Sequence, residues 1–130
     1  MKLNLLVGTL CVSLILSAAF AEALTTAEIV LAQTSTITAD QAPQYIGQNA
    51  TVEGVVVAVS TSKRGNTFIN FGGVYPNQTF TGWVPAGTPL ASDSSMHLLQ
   101  GKKIKITGLI ELYRGKPEIR ILSRDQITEE

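Results

Sequence analysis

Flat aromatic rings and cations are the side chains of this 130-residue chain whose types and spacing could do chemistry. Lys63-Arg64 is followed by Phe68 and Asn70, then by Tyr75 and Trp83; Lys103 and Lys105 stand two apart, and Tyr113, Arg114 and Lys116 close the series. Rings of this kind stack on unpaired bases, at ~1–3 kcal/mol per base, and cations neutralise phosphates. The combination suits a single strand of DNA or RNA. Catalysis finds no comparable support. His97 is the only histidine and has no second His or Cys at ligand spacing. Glu53, Asp93, Glu111 and Glu118 are isolated in sequence, with no pair assignable to acid and base roles. Gly72-Gly73 lacks the helix and lysine of a phosphate-cradling loop. The expectation is a binding domain, not an enzyme, with no metal and no cofactor.

Ten Lys and Arg balance ten Asp and Glu, which excludes a protein held to nucleic acid by a bulk basic field. The distribution is more informative than the total. Between Gly54 and Ile110 there are five basic residues against the single acidic Asp93, while the other acids gather towards the two ends. A neutral chain can therefore carry a basic strip.

Residues 1–21 read as an export signal. Lys2 supplies the charge, Leu3 to Leu16 the apolar stretch, and Ala19-Phe20-Ala21 a small-x-small cleavage site, with Ala21-Glu22-Ala23 a close second. The apolar part is shorter than the ~20 residues a spanning helix needs, so no membrane insertion is expected once the signal is removed. Cys11, the only cysteine, sits inside the apolar stretch after Thr9-Leu10, unlike a lipid-modified cysteine. Its removal leaves packing alone to stabilise the domain. A periplasmic or secreted location is expected, with 22–36 as a linker and 37–130 as the domain.

The elements that must position the rings and cations are strands. Thr38-Ala39-Asp40-Gln41 has capping-box spacing for a short helix limited by Pro43 and stopped at Gly47. From Asn49 the period becomes two, giving strands at Thr51–Val59, Thr67–Phe71 and Thr79–Val84. Ser92 or Asp93 can cap a second short helix, with Met96 and Leu99 on one face and Gly101 at its end. Lys103–Leu112 alternates with even positions inward, and Glu118–Ile121 returns after the turn Tyr113–Pro117. Gly54 and Gly108 lie inside strands, where a glycine marks a bend or bulge. Five strands cannot cover both faces of an open sheet, but one bent sheet can close and bury one face. The predicted fold is all-β: a small five-stranded barrel with a short helix between strands three and four and a short N-terminal helix.

That order is the OB-fold order. The chain resembles the small OB-fold domains of the nucleic-acid-binding type found in bacterial exported proteins, alone or beside secreted nuclease domains. The resemblance is carried by Tyr45-Ile46-Gly47, Thr51-Val52-Glu53-Gly54, Thr67-Phe68-Ile69-Asn70-Phe71-Gly72, Tyr75-Pro76-Asn77-Gln78-Thr79-Phe80-Thr81 and Leu112-Tyr113-Arg114-Gly115-Lys116-Pro117-Glu118-Ile119. It implies binding across strands two and three, between the loop carrying Lys63-Arg64 and the loop carrying Arg114 and Lys116. The chain departs from the expected pattern after strand three, where Val84-Pro85-Ala86-Gly87 replaces charged or bulky residues.

With Ile69 and Phe71 inward, Phe68 and Asn70 lie outward, and Trp83 shares their face opposite Phe80. Lys103 and Lys105 are outward by the same parity. Each has a plainer alternative. A one-residue slip would bury Phe68, and Trp83 can pack under Pro85–Gly87. Lys63-Arg64 and the Lys102-Lys103-Lys105 cluster can be solvated surface, and Tyr113–Pro117 can serve the hairpin alone. The corresponding alternative for function is an interaction or stress-response module whose barrel takes an envelope protein, glycan or small ligand.

Overall fold

A computed structural model describes Thr34–Glu130, which form one compact unit. The predicted signal and the linker up to Gln33 lie outside the described residues. The architecture is all-β, with strands β1 (Ser35–Thr38), β2 (Asn49–Thr61), β3 (Thr67–Phe71), β4 (Phe80–Val84), β5 (Lys103–Tyr113), β6 (Lys116–Arg120) and β7 (Ile127–Glu129). Seven strands therefore stand where five were expected. The two additional ones, β1 and β7, have 4 and 3 residues, too few for alternation to announce a strand. β1 begins at Ser35, within the stretch read as linker, and runs parallel to β2, with Ile37 beside Val52 and buried.

β2 is long because, besides its short parallel pairing with β1, it serves two antiparallel partners in turn. Asn49–Val55 pairs antiparallel with β5, and Val56–Thr61 pairs antiparallel with β3, with a register irregularity between Val56 and Ala58 at the changeover. β3 pairs with β4, β4 runs parallel to β6, and β6 pairs with β5. The pairings thus return to β2, and β1 and β7 flank this cycle as outer strands. Ile69, Phe71, Phe80, Ile104, Ile106, Ile110, Ile119 and Ile121 are fully buried inside it. Phe71 and Phe80 meet with ring centroids 5.5 Å apart and planes tilted by 53°.

Close approach explains the strand glycines better than the expected bulge does. A Cβ on Gly54 would lie 3.0 Å from the Phe71 ring, and one on Gly108 would lie 2.7 Å from the Ile119 side chain. Gly82 is tighter still, since a Cβ there would meet Ile106 and Ile121 methyls at 2.7 and 2.8 Å. Of the even positions of β5, Ile104, Ile106 and Ile110 are buried and Gly108 is half-buried, but Leu112 is exposed, because there β5 pairs only with Pro117 of the hairpin.

The predicted helices are 3₁₀ segments. Ala39–Tyr45 begins where the Thr38 N–H donates to Gln41 Oε1 at 3.0 Å and is followed by Gly47 at φ +84°. Ser94–Leu99 lies between β4 and β5, capped by Asp93, whose carboxylate accepts the Ser95 N–H at 2.9 Å. Met96 and Leu99 face the core as expected. A third segment, Arg124–Gln126, leads into β7. Among the described residues, no helix is long and apolar enough to cross a membrane.

Candidate functional site

Strand pairing arranges the outer face of β3, β4 and β6 in rows. Phe68 lies beside Trp83, and Trp83 beside Arg120; in the next row Asn70 lies beside Thr81, Thr81 beside Glu118, and Glu118 beside Glu111 of β5. Phe68 and Trp83 are half-buried and share the outward parity the alternation predicts. The two rows differ in kind. One offers rings, with the Arg120 guanidinium 5.1 Å from the centre of the Trp83 ring. The other offers hydrogen-bonding groups, with the Thr81 hydroxyl donating to Asn70 Oδ1 at 2.9 Å. Asn70 is on the expected face, but it is only 3% exposed, so it forms floor and not a solvated surface.

Above this face lies a cleft of about 500 Å³. Its floor is Phe68, Asn70, Thr81 and Glu118; one wall is Ser60–Ser62 at the end of β2, and the opposite wall is Tyr75, Pro76 and Gln78 with the hairpin residues Tyr113, Arg114 and Lys116. A smaller hollow of about 140 Å³ adjoins it, where Phe68, Tyr113 and Glu118 meet Asn66 and Trp83. Tyr75 and Tyr113 are 72% and 55% exposed, which leaves ring surface free for a ligand.

The hairpin explains how a cation reaches the rim. Tyr113 and Lys116 are paired, so Arg114-Gly115 is a two-residue turn, and both residues have positive φ, 51° and 79°. Such turns favour Asn or Gly at the first position. Here an arginine occupies it, with its guanidinium 5.2 Å from the centre of the Tyr113 ring. Lys116 is different from the free cation expected. Its ammonium donates to the Pro76 carbonyl and, at 2.8 Å, to the Gln78 carbonyl, so it ties the Tyr75 loop to β6.

Lys103 and Lys105 are not brought to the cleft. They face β7, where their ammonium groups reach the Glu130 carboxylate at 2.7 and 2.5 Å. Both contacts hold the Glu130 carboxyl down to about 2. Lys102 is paired likewise with Glu129 at 2.9 Å, and Arg124 joins the same carboxylate. The expected basic strip is therefore divided, and its β5 part is neutralised by the C-terminal residues. Lys63 and Arg64 are exposed in the β2–β3 turn, next to the Ser60–Ser62 wall but outside the cleft lining. His97 is exposed, with Nε2 3.3 Å from the Thr61 hydroxyl. No group of three or more metal-ligating side chains occurs among the described residues.

Thr81, Gln78, Glu118 and Arg120 complete the site beyond the residues expected from sequence. Glu118 and Arg120 alternate with buried Ile119 and Ile121, so their outward direction was readable; their place beside Thr81 and Trp83 required the parallel β4–β6 register. Burial raises the Glu118 carboxyl above its ordinary range, and the Glu111 carboxylate adds to the rise.

No protein-family model matches the chain, and no curated protein matches it. Solved structures do. An OBody, AM1L10, solved bound to hen egg-white lysozyme, is 18% identical with TM-score 0.54, over 75% of this chain and 95% of that one. A chain described as an aspartyl-tRNA synthetase from Leishmania major Friedlin is 5% identical with TM-score 0.50, over 75% of this chain but 21% of its own length. At these identities the likeness is one of fold. The described region is a β-rich fold with structural similarity to OB-fold proteins.

Proposed function

We propose that the chain is an exported, non-enzymatic OB-fold barrel domain that binds single-stranded nucleic acid in the cleft over β3, β4 and β6. Five of its strands, β2, β3, β4, β6 and β5, make the barrel, and β1 and β7 are additions to it. The observation that carries the reading is the cleft itself, in which Phe68 shares the floor with the polar Asn70, Thr81 and Glu118, and Tyr75 and Tyr113 stand in the walls. Rings accept the faces of bases, and Arg114 with Lys63 and Arg64 supplies phosphate contacts at the two rims. With Lys103, Lys105 and Lys116 engaged elsewhere, few phosphates are neutralised, and affinity is weak. The test is titration of fluorescent DNA and RNA single strands at low salt, followed by anisotropy and by the emission of Trp83, the only tryptophan. Saturable binding that weakens with salt is expected; no binding to either at high protein concentration refutes the reading. Export is tested separately, by sequencing the amino terminus of the product recovered outside the cytoplasm, expected after Ala21 or Ala23.

Glu111 and Glu118 favour a second reading, because carboxylates on this face repel phosphate. In it the same cleft takes an envelope protein, a glycan or a small neutral ligand. The OBody's complex with lysozyme gives a protein-bound instance of a similar fold. Binding that is insensitive to salt distinguishes this reading from the first.

A further inference from the structure

The carboxylate of Glu118 is the least expected group in a cleft meant for a polyanion. Among the described residues it has neither an ion-pair nor a hydrogen-bond partner; it lies half-buried on the cleft floor between Thr81 and the Glu111 carboxylate. Half-burial strips part of the hydration of this acceptor, and a ligand that brings donors replaces it. Two strands away on the same row is Asn70, whose amide oxygen already accepts from Thr81. That bond leaves the Asn70 NH2 as the donor offered to the cleft. The floor therefore presents a donor at one end and a two-oxygen acceptor at the other, with the Thr81 position between them. At ~4.8 Å per strand, the two backbones are about 10 Å apart, which leaves room for one planar hydrogen-bonding edge between the side chains.

We propose that this row reads guanine: Glu118 accepts from the adjacent N1–H and N2–H of the base, and Asn70 donates to its O6. The inference rests on the reading of the cleft as a single-strand site and adds a base preference to it. Among the common bases, only guanine presents two neighbouring donors followed by an acceptor on its pairing edge. Adenine and cytosine each turn a ring nitrogen acceptor towards the carboxylate, and thymine or uracil offers one donor between two acceptors. Phe68 and Tyr113 line the cleft beside Glu118 and supply ring faces next to that edge.

The experiment uses thymine octamers carrying one central guanine, hypoxanthine or adenine, together with the all-thymine octamer, on the wild-type protein and on Glu118→Gln. The guanine octamer is expected to bind ~10-fold or more tightly than the adenine and all-thymine octamers, the scale of a good bidentate base contact. Hypoxanthine, which lacks the N2 amine, falls between them. In Glu118→Gln the guanine preference disappears, and affinity for the guanine octamer falls to that for the all-thymine octamer. A thermal melt checks that the variant is folded. Equal binding of all four octamers by the wild type overturns the base preference and leaves the single-strand site standing, as does an equal gain on every octamer in Glu118→Gln. Failure to bind even the guanine octamer removes the single-strand reading and the base preference together.

Discussion

Lys103 and Lys105 on β5, and Arg114 and Lys116 at the hairpin that ends it, are the same kinds of side chain on neighbouring stretches of one chain, but they serve different ends. The first two face β7 and are held by the Glu130 carboxylate. At the hairpin, Arg114 extends over the Tyr113 ring at a cleft rim, and Lys116 secures the opposite wall through backbone carbonyls. Side-chain chemistry alone does not distinguish these roles. What distinguishes them is the group that topology delivers: the Glu130 side-chain carboxylate at one face, a ring and a loop at the other.

The widest disruption of this contrast comes from Gly82, whose position is crowded by Ile106 from the β5 side and by Ile121 following β6. Gly82→Val has no room for its side chain and is expected to cost about 3 kcal/mol in a urea unfolding measurement. Both faces then lose definition together.

Substitution face by face sharpens the comparison. Phe68→Ala or Tyr113→Ala removes a stacking ring and should weaken single-strand binding by roughly 5- to 150-fold, the equivalent of ~1–3 kcal/mol per base. Lys103→Gln with Lys105→Gln should leave affinity within about twofold, since those charges are already matched. A comparable loss in the lysine pair would show that the β7 face takes part in binding.

Arg114 gives a smaller effect with two signs. Asn tolerates the left-handed turn better than Arg does, so Arg114→Asn is expected to raise stability by ~0.5–1 kcal/mol. The same change removes a rim cation and should lower the slope of log affinity against log salt by about one. Gain in a thermal melt with loss in the salt series would identify Arg114 as placed for contact at the expense of turn geometry.

Smallest, and opposite at the two faces, are the pH effects. Glu130 titrates at about 2 in the folded chain against an ordinary 4.5, so its stabilisation is complete above 4.5 and is lost as pH falls towards 2. Glu118 is shifted upward by burial and Glu111, so its ionisation burdens the fold: stability falls as pH rises from 4.5 through the raised value. Urea midpoints across pH should lose their acid-side rise in Glu130→Gln and the decline above 4.5 in Glu118→Gln.

The alternation of apolar residues is enough to locate the five longer strands and the outward direction of Phe68 and Trp83, and the Asp93 cap with Met96 and Leu99 on one face locates the segment at Ser94–Leu99. Period and capping are local properties, and they survive in a single sequence. The two short strands were not legible, because Ser35–Thr38 has one apolar residue and Ile127–Glu129 one buried side chain. The short β7 has a functional consequence: without it nothing brings Glu130 to Lys103 and Lys105, and these two charges look free. The Asn70–Thr81–Glu118 row was hidden for the same reason. Each residue's parity could be read, but their adjacency depends on the parallel β4–β6 register.

The double pairing of β2 also bears on how the chain becomes folded. Asn49 finds Leu109 and Val55 finds Lys103, so the cycle of strands cannot close until the last third of the chain is present. In chain order β2, β3 and β4 precede β5 and β6, the strands that close the cycle over Phe71 and Phe80. Such long-range closure is slow in relation to local helix or hairpin formation. The cleft, whose floor joins Phe68 of β3, Thr81 of β4 and Glu118 of β6, is complete only once both ends of that cycle have met.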